Sequence, residues 1–441
     1  MNIKFSPPKI ITLGFLAIIF VGAFLLMLPI SSASRQATGF LEAFFTSTSA
    51  VCVTGLAVVD TGTYWSAFGK VVIISLIQIG GLGFMTIATV GSILAGKRIG
   101  IHSRLLIQES LGQEKVQGIV RFAKKIFISA FIIEGVGAFF LSLKWIPQFG
   151  FWKGSLFSIF HSISAFCNAG FDIFGNGQSL MGYQKSVIVN ITVSLLIILG
   201  GIGFAVMYDL MSNRSNLKRI SLHSKLVLLI SSLLIVAGTV VFFVLEKNNP
   251  ATMGELGFFH KLLTSMFQSV TTRTAGFNSI DQGGMMESSK FLTILLMFVG
   301  GSPASTAGGV KTTSLAVVFL ATAAYVRKSD VQAFGRRISY DVVNKAMAIM
   351  LIAFVIVLIS TLVISIENPN IEFLDIFYEV VSAFGTVGLS TGITGSVTTI
   401  SKTILILLMF AGRVGALTIV LAIAGKERSE HFRLPEGRVL L

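Results

Sequence analysis

Charged residues are scarce in this sequence. Only 12% of its 441 residues are Asp, Glu, Lys or Arg, whereas 53% are hydrophobic. A soluble globular domain carries about 25% charged residues, so the composition excludes an ordinary soluble protein and indicates that the chain has lipid as its solvent. Apolar runs of about 20 residues, the length that spans a bilayer as a helix, occur at 10–30, 126–143 and 345–366.

Cysteine and the motifs of common enzymes are scarce as well. Cys52 and Cys167 offer neither a disulfide framework nor a metal-binding spacing, and a packing role accounts for both. The five histidines form no H-E-x-x-H motif, there is no serine nucleophile elbow, and neither common nucleotide-binding fingerprint is present. The sequence therefore predicts that the chain is not an enzyme and binds no cofactor of its own.

Acidic residues are fewer than basic ones, and the formal net charge is +14. The basic residues concentrate in alternate loops: the N-terminus, 97–125, 212–225, 327–345 and the tail from Lys426 hold 22 of the 34 Lys and Arg. An excess of Lys and Arg marks the cytoplasmic side of a membrane protein. The charge therefore predicts an orientation with both termini in the cytoplasm, and no nucleic-acid partner.

A short glycine-ended motif occurs four times at nearly even spacing. The stretches "VCVTG", "FCNAG", "TRTAG" and "FGTVG" end at Gly55, Gly170, Gly276 and Gly388, at intervals of 115, 106 and 112 residues. A fixed period indicates repeated units. Each unit has an apolar span, a short aromatic-rich amphipathic segment, the motif and a second span. The first spans are 10–30, 120–143, 224–245 and 342–366, and the second spans are 68–94, 187–211, 291–325 and 403–424.

The second spans carry a glycine landmark of their own. Gly80, Gly200, Gly300 and Gly412 follow the motif glycines by 25, 30, 24 and 24 residues. Small residues let transmembrane helices approach closely, and close helix packing is the interpretation for most of these glycines.

The amphipathic segments of about 11 to 15 residues are too short to cross a bilayer, which favours re-entrant helices. The motif after each must then be non-helical backbone at membrane depth, which is tolerated only inside protein or along a water-filled cavity. We therefore predict an all-α polytopic membrane protein with eight transmembrane helices, in which four helix–re-entrant pore loop–helix repeats surround a pseudo-fourfold central pore. The predicted division is repeat 1 (1–96), a cytoplasmic linker (97–125), repeat 2 (126–212), repeat 3 (213–326), repeat 4 (327–425) and a cytoplasmic tail (426–441).

The motifs are predicted to form an ion selectivity filter. Rings of backbone carbonyls can replace the hydration shell of K⁺, and no Asp or Glu lies within the four pentapeptides. Arg273 interrupts the third motif, and its side chain is expected to turn away and brace the loop from behind. The predicted filter residues are Val53, Thr54, Gly55, Asn168, Ala169, Gly170, Thr274, Ala275, Gly276, Thr386, Val387 and Gly388.

The second span of repeat 3 contains a polar interruption, "GGSPASTAGGVKTTS". Its proline and four glycines break a helix, and a polar loop at this depth would obstruct an ion path. A kinked helix with Lys311 snorkelling to the cytosol is the alternative. The predicted gating residues are Gly300, Gly301, Ser302, Pro303, Ala304, Ser305, Thr306, Ala307, Gly308, Gly309, Val310, Lys311, Thr312, Thr313 and Ser314.

Two further charges fall within apolar spans. Arg413 stands where the other second spans have a second glycine, and an intramembrane arginine usually faces a pathway or a polar partner. We expect it to hydrogen-bond to carbonyls of the interruption and to belong to the gate, with structural bracing as the alternative. Glu134 in "FIIEGVG" has no partner that the sequence identifies, and a structural and a functional role both stay open.

The four motifs and the four second-span glycines, in order along one chain, resemble the Trk/Ktr/HKT superfamily of potassium transporters and, within it, KtrB/KtrD-type membrane subunits. The resemblance implies potassium uptake across a bacterial plasma membrane, with K⁺ at the filter carbonyls and the 300–314 segment as an intramembrane gating loop. It also implies a homodimer and a cytosolic octameric ring of KtrA/KtrC-type nucleotide-binding subunits. Whether sodium stimulates transport stays open.

The main alternative is a secondary carrier with sodium coupling or alternating access, since such carriers also use broken helices and internal repeats. Their repeats usually number two, whereas this chain has four.

Overall fold

The computed structural model describes residues 7–94, 100–110, 117–213, 216, 219–415 and 418. The predicted tail, 426–441, and parts of the predicted linker lie outside these residues. The first repeat contains α1 (Pro7–Met27), α2 (Phe40–Val51), α3 (Thr61–Tyr64), α4 (Ala67–Leu82) and α5 (Phe84–Leu94), and α6 (Ile101–Ser110) follows it. The second contains α7 (Ile119–Phe149), α8 (Phe151–Phe166), α9 (Val187–Gly201) and α10 (Phe204–Ser212). The third contains α11 (Leu222–Glu246), α12 (Phe258–Thr271), α13 (Glu287–Phe298) and α14 (Thr312–Val326). A hairpin of β1 (Gln332–Ala333) and β2 (Arg336–Arg337) leads to the fourth, with α15 (Tyr340–Glu367), α16 (Phe373–Gly385) and α17 (Thr399–Val414).

The first helix of each repeat is long and apolar enough to cross a membrane. These four helices, α1, α7, α11 and α15, keep between 22% and 33% of their most apolar windows buried. Many of their exposed side chains are large and hydrophobic, for example Phe24, Phe139 and Leu362, as lipid contact requires. The predicted all-α, four-repeat membrane fold is confirmed. By length and composition, the described residues hold four such helices, or six if each of two bent helix pairs counts as one span, so the predicted count of eight stays a prediction.

The short helices α2, α8, α12 and α16 are the pore helices. Each packs against the second helix of the preceding repeat: α8 against α4, α12 against α9, α16 against α13, and α2 against α17. The last of these contacts joins the fourth repeat to the first. The four repeats therefore close into a ring, with the C-terminal end of every pore helix buried inside it.

Three of the four second spans are bent or broken, although the sequence predicts an interruption only in the third. The fourth, predicted at 403–424, is helical to Val414, and most of its remainder lies outside the described residues. The helix pair α4–α5 bends by 95° and the pair α9–α10 by 94°. The bends lie at Gly83 and Gly203, whose φ angles of +79° and +93° belong to a region that glycine enters at little cost. In repeat 3 the break is larger, because residues 299–311 separate α13 from α14.

A glycine–serine contact attaches three of the pore helices to the first helix of their own repeat. Ser162 Oγ donates to the carbonyl of Glu134 at 2.6 Å. A Cβ on Gly137 would lie 2.6 Å from the same Ser162 Oγ. The same arrangement joins Ser47 to Ile19 and Gly22 in repeat 1, and Ser269 to Ile235 and Gly238 in repeat 3. A missing side chain lets the two helices touch, and a hydroxyl fixes their register.

We predict that Gly137→Ala lowers the thermal stability of the purified protein, because its Cβ would collide with Ser162 and overpacking costs ~1–3 kcal/mol. Gly135→Ala is the matched control on the same helix, since nothing lies within 4 Å of a Cβ at Gly135. The melting temperatures of both variants, monitored by size-exclusion chromatography in detergent, check this prediction. Equal melting temperatures for the two variants would contradict the contact.

Candidate ion-conduction site

The four predicted filter segments meet in one ring. At each motif glycine, an added Cβ would lie no more than 2.7 Å from the carbonyl oxygen that precedes the motif glycine of the next repeat. The pairs are Gly55 with Ala169, Gly170 with Ala275, Gly276 with Val387, and Gly388 with Thr54. Four glycines and four carbonyl oxygens therefore alternate around a single axis, and any side chain at a glycine would fill the ring.

The backbone of the four segments repeats the same unusual conformation. The motif glycines have φ between +67° and +96°, and the residue two positions before each also has a positive φ, between +50° and +69°. These residues are Val53, Asn168, Thr274 and Thr386. A left-handed conformation is costly for β-branched residues, and such backbone is concentrated at functional sites.

The amide hydrogens of these segments are bonded behind the ring. Thr54 N donates to the carbonyl of Ser49 at 2.8 Å, and Gly55 N donates to its hydroxyl at 3.0 Å. Val387 and Gly388 use Ser382 in the same way, while Ala169 N donates to Ser164 O and Ala275 N to Thr271 O. Within the described part of the chain, no hydrogen bond reaches the carbonyl oxygens of Thr54, Ala169, Ala275 or Val387. Those oxygens are free to bind a cation.

The second-span glycines support the ring from outside. A Cβ on Gly80, Gly200 or Gly412 would collide with a carbonyl oxygen at the end of a pore helix, on Val51, Phe166 and Phe384 respectively. Each of these carbonyls lies four residues before the motif glycine. Gly300 differs, because it faces the carbonyl of Gly308 in the polar interruption.

The polar interruption is a non-helical loop of residues 299–311, which we call the gate loop after the role that the sequence predicts for it. It ends earlier than predicted, because Thr312, Thr313 and Ser314 form the first turn of α14. Thr312 N donates to Gly301 O at 3.1 Å and starts the helix from within the loop. The loop is too long and irregular for a kinked helix. Lys311 Nζ folds back onto the carbonyl of Ala307 at 2.8 Å.

The gate loop lies against the inner end of the filter segments, where the pore helices stop. Thr306 Oγ1 donates to the carbonyl of Phe166 at 3.2 Å, and Gly308 packs on the Thr386 side chain. Ser302 N donates to Gly201 O and Gly309 N to Gly412 O. Repeat 3 therefore sends this loop across to the helices of repeats 2 and 4.

Arg413 connects the gate loop to the first repeat. Its Nη1 donates to the carbonyl of Thr306, and its Nη2 donates to the carbonyls of Gly80 and Gly81. Arg413 and Lys311 also line a cavity of about 260 Å³ on the side of the loop away from the ring. Repeats 1 and 4 and the gate loop of repeat 3 thus meet at one guanidinium group.

Comparison with known proteins agrees with this geometry. The sequence profile of TrkH, described as a cation transport protein, matches residues 9–433. This chain belongs to the TrkH family. The chain is 44% identical to the Ktr system potassium uptake protein B of Bacillus subtilis (strain 168), over 99% of this chain and 97% of that one. It is 40% identical to the potassium/sodium uptake protein NtpJ of Enterococcus hirae, over 99% and 98%. The crystal structure of the potassium transporter TrkH from Vibrio parahaemolyticus has a similar fold, with a TM-score of 0.76 over 96% of this chain and 86% of that one at 19% identity.

The TrkH family consists of transport proteins rather than enzymes, in agreement with the motifs that the sequence lacks. The predicted membership of the wider superfamily is confirmed by the profile and by the relatives.

Arg273 points away from the ring. Its guanidinium donates to the hydroxyl of Ser231 on α11 at 3.0 Å, and only 7% of the residue is exposed. Cys52 and Cys167 occupy the corresponding positions of repeats 1 and 2, three residues before the motif glycine, and both are buried free thiols. Asn168 and Thr274, from neighbouring filter segments, place amide and hydroxyl 3.2 Å apart.

Sequence reasoning missed several polar side chains that support the site. Glu379 on α16 is buried and bonds to Thr394 beyond the fourth filter segment. Gln268 on α12 is bonded to Gln282, which also accepts from Tyr378 on α16. Glutamine and glutamate inside short apolar helices were the available signal, but their partners lie in loops 14 and 15 residues away, and Tyr378 reaches Gln282 from another repeat.

The outer segments of repeats 1 and 2 are joined by Asp60. Its carboxylate accepts from Thr63 N at 2.8 Å and from Gly177 N at 2.9 Å. Desolvation acts to raise the pKa of Asp60, but the hydrogen bonds from Gly177 and Thr63 outweigh it, so this pKa lies below its ordinary value.

We predict that the Asp60–Gly177 connection weakens in acid. The stabilisation is complete above the ordinary aspartate pKa of about 3.9 and is lost as the pH falls through the lower pKa of the folded protein. Hydrogen exchange at the Gly177 amide, corrected for intrinsic rate, should therefore be faster at pH 3 than at pH 6. In Asp60→Asn this difference should disappear, and its persistence there would refute the assignment.

Proposed function

We propose that this chain is the potassium-translocating subunit of a Ktr-type uptake system in a bacterial plasma membrane. The observation that carries the proposal is the ring in which four backbone carbonyl oxygens alternate with four glycines. Relatives named for potassium uptake and for potassium/sodium uptake support it. The filter consists of the residues at 53–55, 168–170, 274–276 and 386–388.

Electrostatics favours a cation in this ring. Carbonyl oxygens carry partial negative charge, and the four pore helices direct their C-terminal, negative dipole ends toward the ring. The positively charged Arg273 is held at a distance by Ser231. A cation is therefore stabilised without any carboxylate in the filter segments.

Carbonyl rings also explain a preference for potassium, because their oxygens replace the hydration shell of K⁺. Each segment contributes one glycine-ended turn, so few tight sites are formed. The expected discrimination against Na⁺ is accordingly soft.

The gate loop and Arg413 form the barrier in this proposal. In the arrangement described, the loop rests against Thr386 of the fourth filter segment and against the carbonyl of Phe166 at the end of a pore helix. Opening requires loss of the bonds to Gly201, Gly412 and Arg413. Hydrogen bonds to charged groups contribute ~1.5–3 kcal/mol each, so Arg413 is the strongest single attachment of the loop.

Regulation must come from another chain, because this sequence has no nucleotide-binding fingerprint. A cytosolic ring of KtrA/KtrC-type nucleotide-binding subunits beneath a homodimer of this chain fits the basic loops that we assign to the cytoplasm. Relatives named as potassium uptake proteins of a Ktr system support such a partnership. Both termini then lie in the cytoplasm.

We predict that Gly55→Ser, Gly170→Ser, Gly276→Ser and Gly388→Ser each reduce the ratio of K⁺ to Na⁺ flux into liposomes, because a side chain would displace the neighbouring carbonyl. Gly177→Ser is the matched control, since Gly177 also has a positive φ of +63° but has no neighbour within 4 Å of a Cβ. An unchanged ratio in all four variants would exclude the filter. Transport with a strict ion stoichiometry would instead favour a carrier.

We predict that Arg413→Ala raises basal K⁺ flux in the absence of regulatory subunits, by about fivefold or more, because the loop loses a charged hydrogen bond. Lys402→Ala, on the same helix but far from the loop, should leave flux unchanged. A role in gating would be ruled out if Arg413→Ala changed neither the basal K⁺ flux nor the response of that flux to regulatory subunits.

A further inference from the structure

Glu134 is a carboxylate in the middle of α7, the membrane-spanning first helix of repeat 2. Only 4% of it is exposed, although neighbouring side chains on the same helix face lipid. An ionisable group at this depth is costly and is usually paired or functional. Neither the conduction pathway nor the gate described above makes use of it.

The partner of Glu134 comes from another repeat. Gln78 Nε2 on α4 donates to both carboxylate oxygens, at 3.0 and 3.1 Å. Cys167 Sγ lies 3.5 Å from Gln78 Oε1 and 4.0 Å from Glu134 Oε1. Among the described residues, this is a closed three-residue cluster that joins repeats 1 and 2.

The cluster lies directly behind the second filter segment. Cys167 is the C-cap of pore helix α8 and precedes Gly170 by three residues. A Cβ on Gly81 would lie 2.6 Å from its sulfur, so the thiol is held between α4 and the carboxylate. Displacement of this thiol would move the backbone that leads into the filter.

A second anchor on α7 strengthens the geometry. The backbone carbonyl of Glu134 accepts from Ser162 of α8 at 2.6 Å. Glu134 therefore contacts pore helix α8 at two places. Its main-chain carbonyl binds Ser162 within the helix, and its side chain contacts Cys167 at the end of the helix. In repeat 3, Ser231 holds Arg273 at the position that corresponds to Cys167, so the residue before the filter is fixed from behind in both repeats.

We propose that Glu134 is a positioning residue for ion discrimination: through Gln78 and Cys167 it fixes the second filter segment. The inference rests on the proposed function, because it assumes that residues 168–170 select the ion. It assigns the carboxylate to the filter rather than to the gate. Loss of the cluster should change the K⁺/Na⁺ ratio and leave the response to regulatory subunits intact.

The test uses the full chain in liposomes and measures the K⁺/Na⁺ flux ratio per reconstituted protein. The double variant Gln78→Leu/Glu134→Leu removes both partners, which spares the protein an unpaired buried polar group. Its ratio should fall about fivefold, the factor that corresponds to ~1 kcal/mol. Glu134→Gln keeps a hydrogen-bonding partner for Gln78 and should retain the wild-type ratio.

The matched control is Glu246→Gln. Glu246 is another fully buried carboxylate on a first helix, but it bonds to Thr252 and to Met286 N, away from the filter. It should not alter the ratio. If the leucine pair prevents folding, an exchange replaces it: Gln78→Glu alone should lower the ratio by opposing two carboxylates, and Gln78→Glu/Glu134→Gln should restore it.

The outcomes separate this inference from the proposed function. A wild-type ratio in the leucine pair, alongside a lost ratio in Gly170→Ser, would overturn the role of Glu134 and leave the filter standing. The role of Glu134 would also be overturned if Glu134→Gln lowered the K⁺/Na⁺ ratio as much as the leucine pair does. The same holds if Gln78→Glu/Glu134→Gln did not restore the ratio that Gln78→Glu lowers. A wild-type ratio in Gly170→Ser would refute the filter itself.

Discussion

The structure depends on where the amide hydrogens of four short segments are bonded. Non-helical backbone at membrane depth must have its donors satisfied by protein, and here the serines and threonine near the pore-helix ends take them. Because these donors bond behind the ring, the carbonyl oxygens of Thr54, Ala169, Ala275 and Val387 accept no hydrogen bond from the described residues. The same hydrogen bonds that make the segments tolerable in the bilayer therefore leave oxygens available for an ion.

The close packing of the helices follows from that arrangement. Pore-helix ends can reach the axis only if the surrounding helices approach their carbonyls, and Gly80, Gly200 and Gly412 provide the space. On the other side of the pore helices, Gly22, Gly137 and Gly238 receive a serine from the same repeat. Glycine is thus used on both flanks of a pore helix, for two different contacts.

The period of the sequence predicted the repeats, the first spans and the ring, because each of these follows from local composition and from landmarks in step. Contacts between repeats could not be predicted in the same way. Gln78 and Glu134, in repeats 1 and 2, are 56 residues apart, so no local pattern pairs them. The same is true within repeat 3 of Ser231 and Arg273, which are 42 residues apart. The bends at Gly83 and Gly203 were missed because the apolar run continues through them. The gate loop was predicted from its proline and glycines. Thr312–Ser314 belong to α14 instead, because the hydrogen bond from Thr312 N to the carbonyl of Gly301 starts that helix.

Among the described residues, only the third repeat has a non-helical break as long as 299–311 in its second span, and this asymmetry bears on the gate that we propose. In an assembly of four identical subunits, a constriction widens only when all four subunits move together. That movement also strains a selective ring built from the same subunits. Here one repeat supplies the loop that we propose as the gate, and this loop hydrogen-bonds to its neighbours at Gly201, Gly412 and Arg413. Under that proposal, withdrawal of one loop would open the pathway while the ring of carbonyl oxygens keeps its diameter, so the transport rate would be controlled separately from ion selectivity.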